Sequence, residues 1–274
     1  MIFLYILVII IIYELWENIN PKLDVFNIEQ KLPDGVKELK ILHISDLHNY
    51  KFGKNQIKLK KLIKKDYDFV FITGDLIDRR YPGLENAKDL IEYIGEKYPG
   101  KIYFVKGNHE KGSSQYEELK LLLEKNSIKI LDDENEELNN GINIIGISDP
   151  SEYISVNEKV KNKEWKIIQD NLERLIIKDK YNIVLSHRPE YMKSYVKYSP
   201  DLVFSGHSHG GQVKLFKWGL YAPNQGFFAK YSGGIFKEKN TTMINSRGLG
   251  NNFIWAKRVF NRPHIIEVNL YKTL

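Results

Sequence analysis

The sequence predicts an α/β fold from two features that recur along the chain. From about residue 22, short apolar runs alternate with longer amphipathic segments, as in βα units built around a sheet. The apolar runs end at small or polar residues, which is typical of buried strands. With 274 residues, 42% of them hydrophobic, the chain can bury a substantial core. We expect a single domain over residues 22–274.

Six apolar runs are predicted to be strands, and the segments between them include four predicted helices. The predicted strands are residues 41–44, 68–73, 101–105, 142–147, 182–185 and 202–204. The predicted helices, in which apolar residues recur at helical spacing, are residues 55–65, 84–97, 116–123 and 165–176. Their aliphatic side chains are expected to form the core.

The N-terminus has the composition of a membrane anchor. Residues 1–13 carry no charged side chain, and the apolar run continues to Trp16. A helix of this length spans about 24 Å, somewhat short of the ~30 Å hydrocarbon core. A secretory signal would carry basic residues before the apolar run and small residues near a cleavage site, and neither feature appears here. We expect residues 1–18 to be a single uncleaved anchor in the cell membrane. Lys22 and Lys31 favour a cytoplasmic domain, but long domains can translocate regardless of such charges, so the membrane face stays open.

Polar residues of metal-ligand type follow five of the predicted strands. They are Asp46, His48, Asp75, Asn108, His109, His187, His207 and His209. Open α/β sheets place ligands at the carboxyl ends of their strands, so these side chains are expected to meet at one sheet edge. Without a cation, crowded carboxylates and imidazoles would cost free energy or shift their pKa values. His43, inside a strand, and His264, near the terminus, are left out of this set.

Composition limits the chemistry of such a site. The chain has no cysteine, which excludes disulfides, thiolate metal ligands and a cysteine nucleophile, so any metal must use nitrogen and oxygen ligands. The net charge is +6, and seven lysines crowd residues 51–65. This charge permits an anionic partner such as a lipid head group, a phosphorylated polymer or nucleic acid. A solvated helix face is the favoured interpretation of the lysine run.

The polar blocks together resemble a known signature. Asp46-Leu47-His48, Gly74-Asp75, Gly107-Asn108-His109-Glu110, Ser186-His187 and Gly206-His207-Ser208-His209 stand in the order of the five blocks of the calcineurin-like metallophosphoesterases. The resemblance covers about residues 39–211. Later segments and the apolar start resemble the membrane-associated YkuE/YaeI-like branch. The family implies a four-layer α/β/β/α sandwich, the metallo-dependent phosphatase fold, with strands after residue 211 in much of the second sheet.

The resemblance also implies roles for the site residues. Asp46, His48 and His209 would hold one metal ion, Asn108, His187 and His207 a second, and Asp75 would bridge them. Imidazole, carboxylate and amide ligands favour two divalent transition metal ions, Mn, Fe or Zn, over Ca or Mg. His109 would act as the acid for the leaving group.

Two further catalytic residues come from the segment Gly74-Asp75-Leu76-Ile77-Asp78-Arg79. By resemblance, Asp78 would orient His109 and Arg79 would contact phosphate. The alternative is a surface ion pair in a turn, and neither interpretation is favoured. Arg80 stands where the protein phosphatases have glycine, which argues against a protein substrate.

The sequence therefore predicts a binuclear phosphoesterase that hydrolyses a phosphodiester or pyrophosphate bond by metal-activated hydroxide. The expected partner is a phosphorylated small-molecule or lipid-linked substrate from the cell envelope, together with the membrane. Neither nucleic acid nor a protein partner is expected. A nuclease or cyclic-nucleotide phosphodiesterase is the alternative enzyme, and a non-catalytic metal-retaining binding protein is the alternative of another class.

Four aromatic residues after the last motif allow two interpretations. Trp218, Phe227, Phe228 and Tyr231 could form an apolar lip for a lipid chain, or they could pack the second sheet. Packing is favoured, because aromatic side chains are usually buried.

Overall fold

The computed structural model describes residues 1–153, 161–216, 218–251 and 257–273. The helices are α1 (Ile2–Ile19), α2 (Ile57–Lys60), α3 (Glu85–Lys97), α4 (Tyr116–Lys125), α5 (Lys161–Leu175) and α6 (Met192–Tyr198). The strands of the first half are β1 (Lys22–Gln30), β2 (Glu38–Ile44), β3 (Phe69–Ile72), β4 (Ile102–Phe104), β5 (Ile128–Ile130), β6 (Glu134–Glu137) and β7 (Ile142–Ile147). Those of the second half are β8 (Tyr181–Ser186), β9 (Leu202–Ser205), β10 (Lys214–Leu215), β11 (Trp218–Ala222), β12 (Gly226–Ala229), β13 (Gly234–Glu238), β14 (Thr241–Asn245) and β15 (His264–Lys272).

Two six-stranded sheets face each other and make the four-layer sandwich that the sequence predicts. The first has the order β1-β15-β2-β3-β4-β5 and the second the order β13-β14-β9-β8-β7-β6. Side chains of both sheets fill the space between them, where Phe71 and Phe204 pack with ring centroids 5.0 Å apart. Helices α3 and α4 cover the outer face of the first sheet, and α5 and α6 cover that of the second.

The composition of the second sheet differs from the prediction. Among the described residues, this sheet takes β13 and β14 from beyond residue 211, whereas β6 to β9 precede it and β15 returns to the first sheet. The reason is connectivity, because β7, β8 and β9 are parallel neighbours joined through α5 and α6. Strands β10 to β12 form a separate three-stranded sheet.

The predicted helix over residues 55–65 is also shorter than expected. A 3-10 turn at Lys54–Gln56 precedes α2, and Asn55 and Gln56 have left-handed backbone angles. The buried Gln56 carboxamide accepts from the Phe52 amide at 2.7 Å and donates to two backbone carbonyls, which holds the turn. Closely spaced lysines add like-charge repulsion that disfavours a longer helix.

The burial pattern of helix α1 is the reverse of that of a helix in a soluble core. Its apolar side chains are exposed, and its buried residues are Glu14, Glu17 and Asn18. Asn18 donates to the Arg258 carbonyl at 2.8 Å and accepts from the Arg258 amide at 3.0 Å, so the last turn is docked on the domain. The helix is long and apolar enough to cross a membrane. Its role as a membrane anchor stays a prediction.

The inter-sheet core generates a stability prediction. Phe71→Ala should lower the free energy of unfolding by about 3–5 kcal/mol, because it leaves a cavity between the two sheets. Leu121→Ala on α4 is the control, since Leu121 is 67% exposed and should change stability by less than about 0.5 kcal/mol. Urea denaturation of both variants measures the difference. Equal effects would mean that the two sheets do not pack as described.

Candidate metal centre

Loops from both sheets converge at one end of the sandwich. The carboxyl ends of the parallel strands β2, β3 and β4 in the first sheet lie beside those of β8 and β9 in the second. The predicted residues therefore meet across two sheets and not at one sheet edge. Face-to-face packing supplies the proximity that a single sheet would have supplied by pairing.

Most of the predicted ligands have an unusual backbone conformation. Positive φ angles between 46° and 64° occur at five of them, namely Asp46, His48, Asp75, His207 and His209. Such angles are uncommon for residues with a Cβ atom, and each costs on the order of 1–3 kcal/mol. Clusters of this kind occur at functional sites, where the surrounding structure holds them.

The structure brings Asp46, His48 and His209 together, as predicted. The Nε2 atoms of His48 and His209 lie 3.1 Å apart, and His209 Nε2 lies 3.5 Å from Asp46 Oδ1. The Ser45 hydroxyl and the His207 amide donate to Asp46 and fix its carboxylate. All three candidate ligands are buried, so the three donors point into one small space.

A second group lies beside the first. His187 Nε2 is 3.2 Å from His207 Nδ1 and 3.2 Å from Asp75 Oδ2. The same Asp75 oxygen is 3.7 Å from His48 Nε2 of the first group. Asp75 thus lies between the two groups, at the position expected of a bridging carboxylate.

The donors fit metal ions on three counts. The buried Asn108 Oδ1 has no hydrogen-bond partner among the residues that the structure describes, as expected of an oxygen reserved for a cation. His187 Nδ1 donates to the Thr73 carbonyl at 2.7 Å, which leaves its Nε2 free to coordinate. Burial lowers the pKa of His207 and His209 well below its ordinary value, so both imidazoles are neutral, as ligands must be.

His109 and Asp78 form a hydrogen-bonded unit beside the first group. His109 Nδ1 donates to Asp78 Oδ1 at 3.0 Å, and Asp78 Oδ2 lies 3.3 Å from His48 Nδ1. Burial opposes the charged form of His109, but Asp75 and Asp78 outweigh it and raise the pKa of His109 above its ordinary value. A raised pKa favours the protonated imidazole, which is the form that can donate a proton.

The two arginines after Asp78 have different surroundings, and the one that contacts Asp78 is Arg80, to which the sequence assigned no role. Arg80 donates through Nε to Asp78 Oδ1 at 2.9 Å and through Nη2 to Asp78 Oδ2 at 2.6 Å, so it holds the carboxylate. Arg79 is exposed. Its predicted contact with phosphate stays a prediction.

Sequence reasoning gave no role to Glu110, which organises two ligand loops. Its buried carboxylate accepts from the amides of Asp75, Leu76 and Gly107, each at 2.8 Å. Burial and the charge of Asp75 raise its pKa to about 7. Its place next to His109 in the fourth position of the Gly-Asn-His-Glu block was the available signal.

Arg258 was also missed, and no sequence signal pointed to it. It is fully buried, donates to the Gly250 carbonyl at 3.1 Å and the Arg247 carbonyl at 2.7 Å, and lies 3.3 Å from His209 Nδ1. A guanidinium only donates, so His209 Nδ1 accepts here. Metal binding through Nε2 would move the His209 proton to Nδ1, and this contact would then have to lengthen.

Comparison with known proteins agrees with this geometry. The family model for calcineurin-like phosphoesterases matches residues 39–211, more than half of the chain. The chain belongs to the calcineurin-like phosphoesterase family. An uncharacterized metallophosphoesterase of Campylobacter jejuni is 30% identical, over 96% of this chain and 68% of its own length. YkuE, an uncharacterized metallophosphoesterase of Bacillus subtilis, is 26% identical, over 88% of this chain and 82% of its own length.

These findings confirm the predicted family and are consistent with its YkuE-like branch. A bovine transmembrane protein with a metallophosphoesterase domain is also similar, at 27% identity over 78% of this chain and 49% of its own length. As a member of the calcineurin-like phosphoesterases, this chain is a metal-dependent phosphohydrolase with divalent metal ions as cofactors.

A pair of histidine variants tests the ligand set. His207→Ala should lose one bound ion per chain, because it removes one of the nitrogen donors of the second group. His43→Ala should keep full metal content, since His43 is buried between the sheets and bonds Thr73 at 2.8 Å. Elemental analysis after loading with Mn measures both. Equal metal loss in the two variants would contradict the ligand assignment.

Proposed function

We propose that this phosphoesterase is binuclear and hydrolyses a phosphodiester or pyrophosphate bond in a lipid-linked or cell-envelope substrate. The single observation that carries the binuclear part is the position of Asp75 Oδ2, 3.2 Å from His187 Nε2 and 3.7 Å from His48 Nε2. One carboxylate oxygen within reach of two donor groups is the arrangement that two neighbouring cations require.

The proposed ligand sets consist of the two groups with Asn108 added, because its buried Oδ1 has no partner among the described residues. Asp46, His48 and His209 would hold one ion, and Asn108, His187 and His207 the other, with Asp75 shared. Nitrogen-rich donors of this kind favour Mn, Fe or Zn. When bound, the ions supply the Lewis acidity that activates water and neutralises charge on the phosphoryl group.

His109 is the proposed acid for the leaving oxygen. Asp78 holds its Nδ1 at 3.0 Å, so the other ring nitrogen, Nε2, is the one that would carry a proton toward the substrate. Arg80 in turn holds Asp78 through two hydrogen bonds, so the imidazole has a fixed orientation. In this arrangement Asp78 is a positioning residue that acts through His109.

The substrate proposal rests on the cleft beside the centre and on α1. A cleft of about 430 Å³ opens beside His48 and Asp78 and is lined by Tyr50, Lys51, Tyr81 and Lys257, among others. Two lysines favour an anionic substrate, and an apolar helix on the same chain supports a substrate that resides in the membrane. The similarity to the bovine transmembrane protein adds support for a membrane location.

A nucleotide is the second candidate substrate, in a nuclease or cyclic-nucleotide phosphodiesterase. The observation that favours it is the pair Tyr50 and Tyr81 in the same cleft, because tyrosine rings can stack on a base.

The function is tested with the full chain in detergent micelles, loaded in turn with Mn, Fe or Zn. We expect two ions per chain and faster hydrolysis of lipid pyrophosphates than of phosphomonoesters or plain cyclic nucleotides. One ion per chain at saturation would contradict the binuclear proposal. Faster turnover of nucleotides without lipid would favour the second candidate.

The acid role predicts a dependence on the leaving group. His109→Ala should keep both ions and slow turnover by about 10²- to 10⁴-fold for poor leaving groups, with a much smaller loss for nitrophenyl esters, whose leaving group needs no proton. Steady-state rates on a series of aryl phosphodiesters measure this. Uniform slowing across the series would contradict the role.

A further inference from the structure

The three-stranded sheet β10 to β12 exposes a large aromatic surface. Leu215, Phe216, Trp218, Tyr221, Phe227 and Phe228 are each at least 47% exposed. The expectation that Trp218, Phe227 and Phe228 pack the second sheet is therefore wrong, and of the four aromatics only Tyr231 is buried. We refer to residues 214–216 and 218–229 as the aromatic sheet.

The exposed side chains of the aromatic sheet form neighbouring pairs. Trp218 packs edge-on against Phe228 with centroids 6.2 Å apart, and Tyr221 against Phe227 at 5.4 Å. Phe216 and Phe228 have φ angles of 56° and 54°, which are costly for a bulky residue. Two exposed aromatic pairs on one small sheet are unusual for a surface that faces water, and they mark an interaction site.

The aromatic sheet and the end of α1 are attached to the same short segment. Lys214 donates its amide to the Val259 carbonyl at 3.0 Å. The residues on either side of Val259 bind α1, because Arg258 pairs with Asn18 and the Phe260 amide donates to Glu14 at 3.1 Å. The Phe260 side chain is itself 55% exposed. The two apolar surfaces therefore lie next to each other.

Basic side chains surround the C-terminal end of α1. Lys58 donates to the Ile19 carbonyl at 2.9 Å, and Arg262 donates to the Asn20 carbonyl at 2.6 Å. The Arg262 guanidinium also lies 4.9 Å from the centroid of the Trp16 ring. Tryptophan and basic residues at the end of an apolar helix are typical of the level of the lipid head groups. Their positive charge complements anionic phospholipid.

We propose that the aromatic sheet rests against the bilayer that α1 enters, with anionic phospholipid as its partner. The proposal rests on the membrane anchoring in the proposed function and adds a second contact. With two adjacent contacts the domain holds one orientation on the membrane. Gly211, two residues after His209, packs on Gly219 of β11, so the aromatic sheet lies next to the metal centre. The proposed orientation therefore keeps the metal centre close to the head groups.

The absence of cysteine allows a site-specific test in the full chain. Phe228→Cys, labelled with bimane, is reconstituted into vesicles of phosphatidylcholine and phosphatidylglycerol that carry brominated acyl chains. We expect about a twofold or greater loss of fluorescence relative to unbrominated vesicles. Leu121→Cys is the matched control and should lose none. It is an exposed apolar position on α4, which packs next to β5 at the edge of the first sheet opposite β1.

A third label separates failure of this proposal from failure of membrane anchoring. Bimane attached to Ile9→Cys in α1 should be quenched by the brominated acyl chains if α1 enters the bilayer. Quenching at position 9 without quenching at position 228 would overturn the present proposal alone, and quenching at neither would overturn the anchoring as well. Label–label contact at position 228 between copies, without quenching by bromine, would show a dimer interface and overturn it. Equal quenching in purely phosphatidylcholine vesicles would overturn the role of anionic lipid.

Discussion

The carboxylate of Asp75 is the constraint on which the site depends. It is 1% exposed, and an ionised carboxylate without a counter-charge at such a position costs several kcal/mol. Burial favours its protonation, but without metal ions the charge of His187 holds the pKa of Asp75 well below its ordinary value. Bound cations would supply this counter-charge instead, and His187 would then be the neutral ligand proposed above. Asp75 follows β3 of the first sheet, and His187 follows β8 of the second. With or without ions, the partners of Asp75 come from both sheets, so the two sheets have to pack with these ends side by side.

Glycine at the neighbouring positions makes that packing possible. A Cβ atom on Gly107 would lie 2.2 Å from Asp75 Oδ1, and one on Gly206 would lie 2.3 Å from Asp46 Oδ2. Both distances are shorter than any real contact, so a larger residue would push a ligand out of place. This explains physically why a glycine precedes Asn108 and His207 in the motifs, in addition to the resemblance to the family.

The sequence was sufficient to predict those site residues that directly follow a buried strand. Asp46, Asp75 and His187 could be predicted because an apolar run followed by a polar residue can be recognised in the sequence alone. Arg258 could not be found, because it reaches His209 across 49 residues and its segment has no periodicity. The exposure of Phe228 could not be predicted either, since an aromatic residue in a short strand has the same pattern whether it faces a core or a membrane.

The contacts of Asn18 connect the proposed anchor to the chemistry. Asn18 is 2% exposed and holds the backbone of Arg258 through two hydrogen bonds, and the Arg258 side chain lies 3.3 Å from His209. A flexible tether would need no such connection, because a disordered linker holds a domain near a membrane equally well. The last turn of α1 is therefore part of the packing that holds Arg258 next to a candidate ligand. A role for the helix that is limited to attachment does not account for these buried polar contacts.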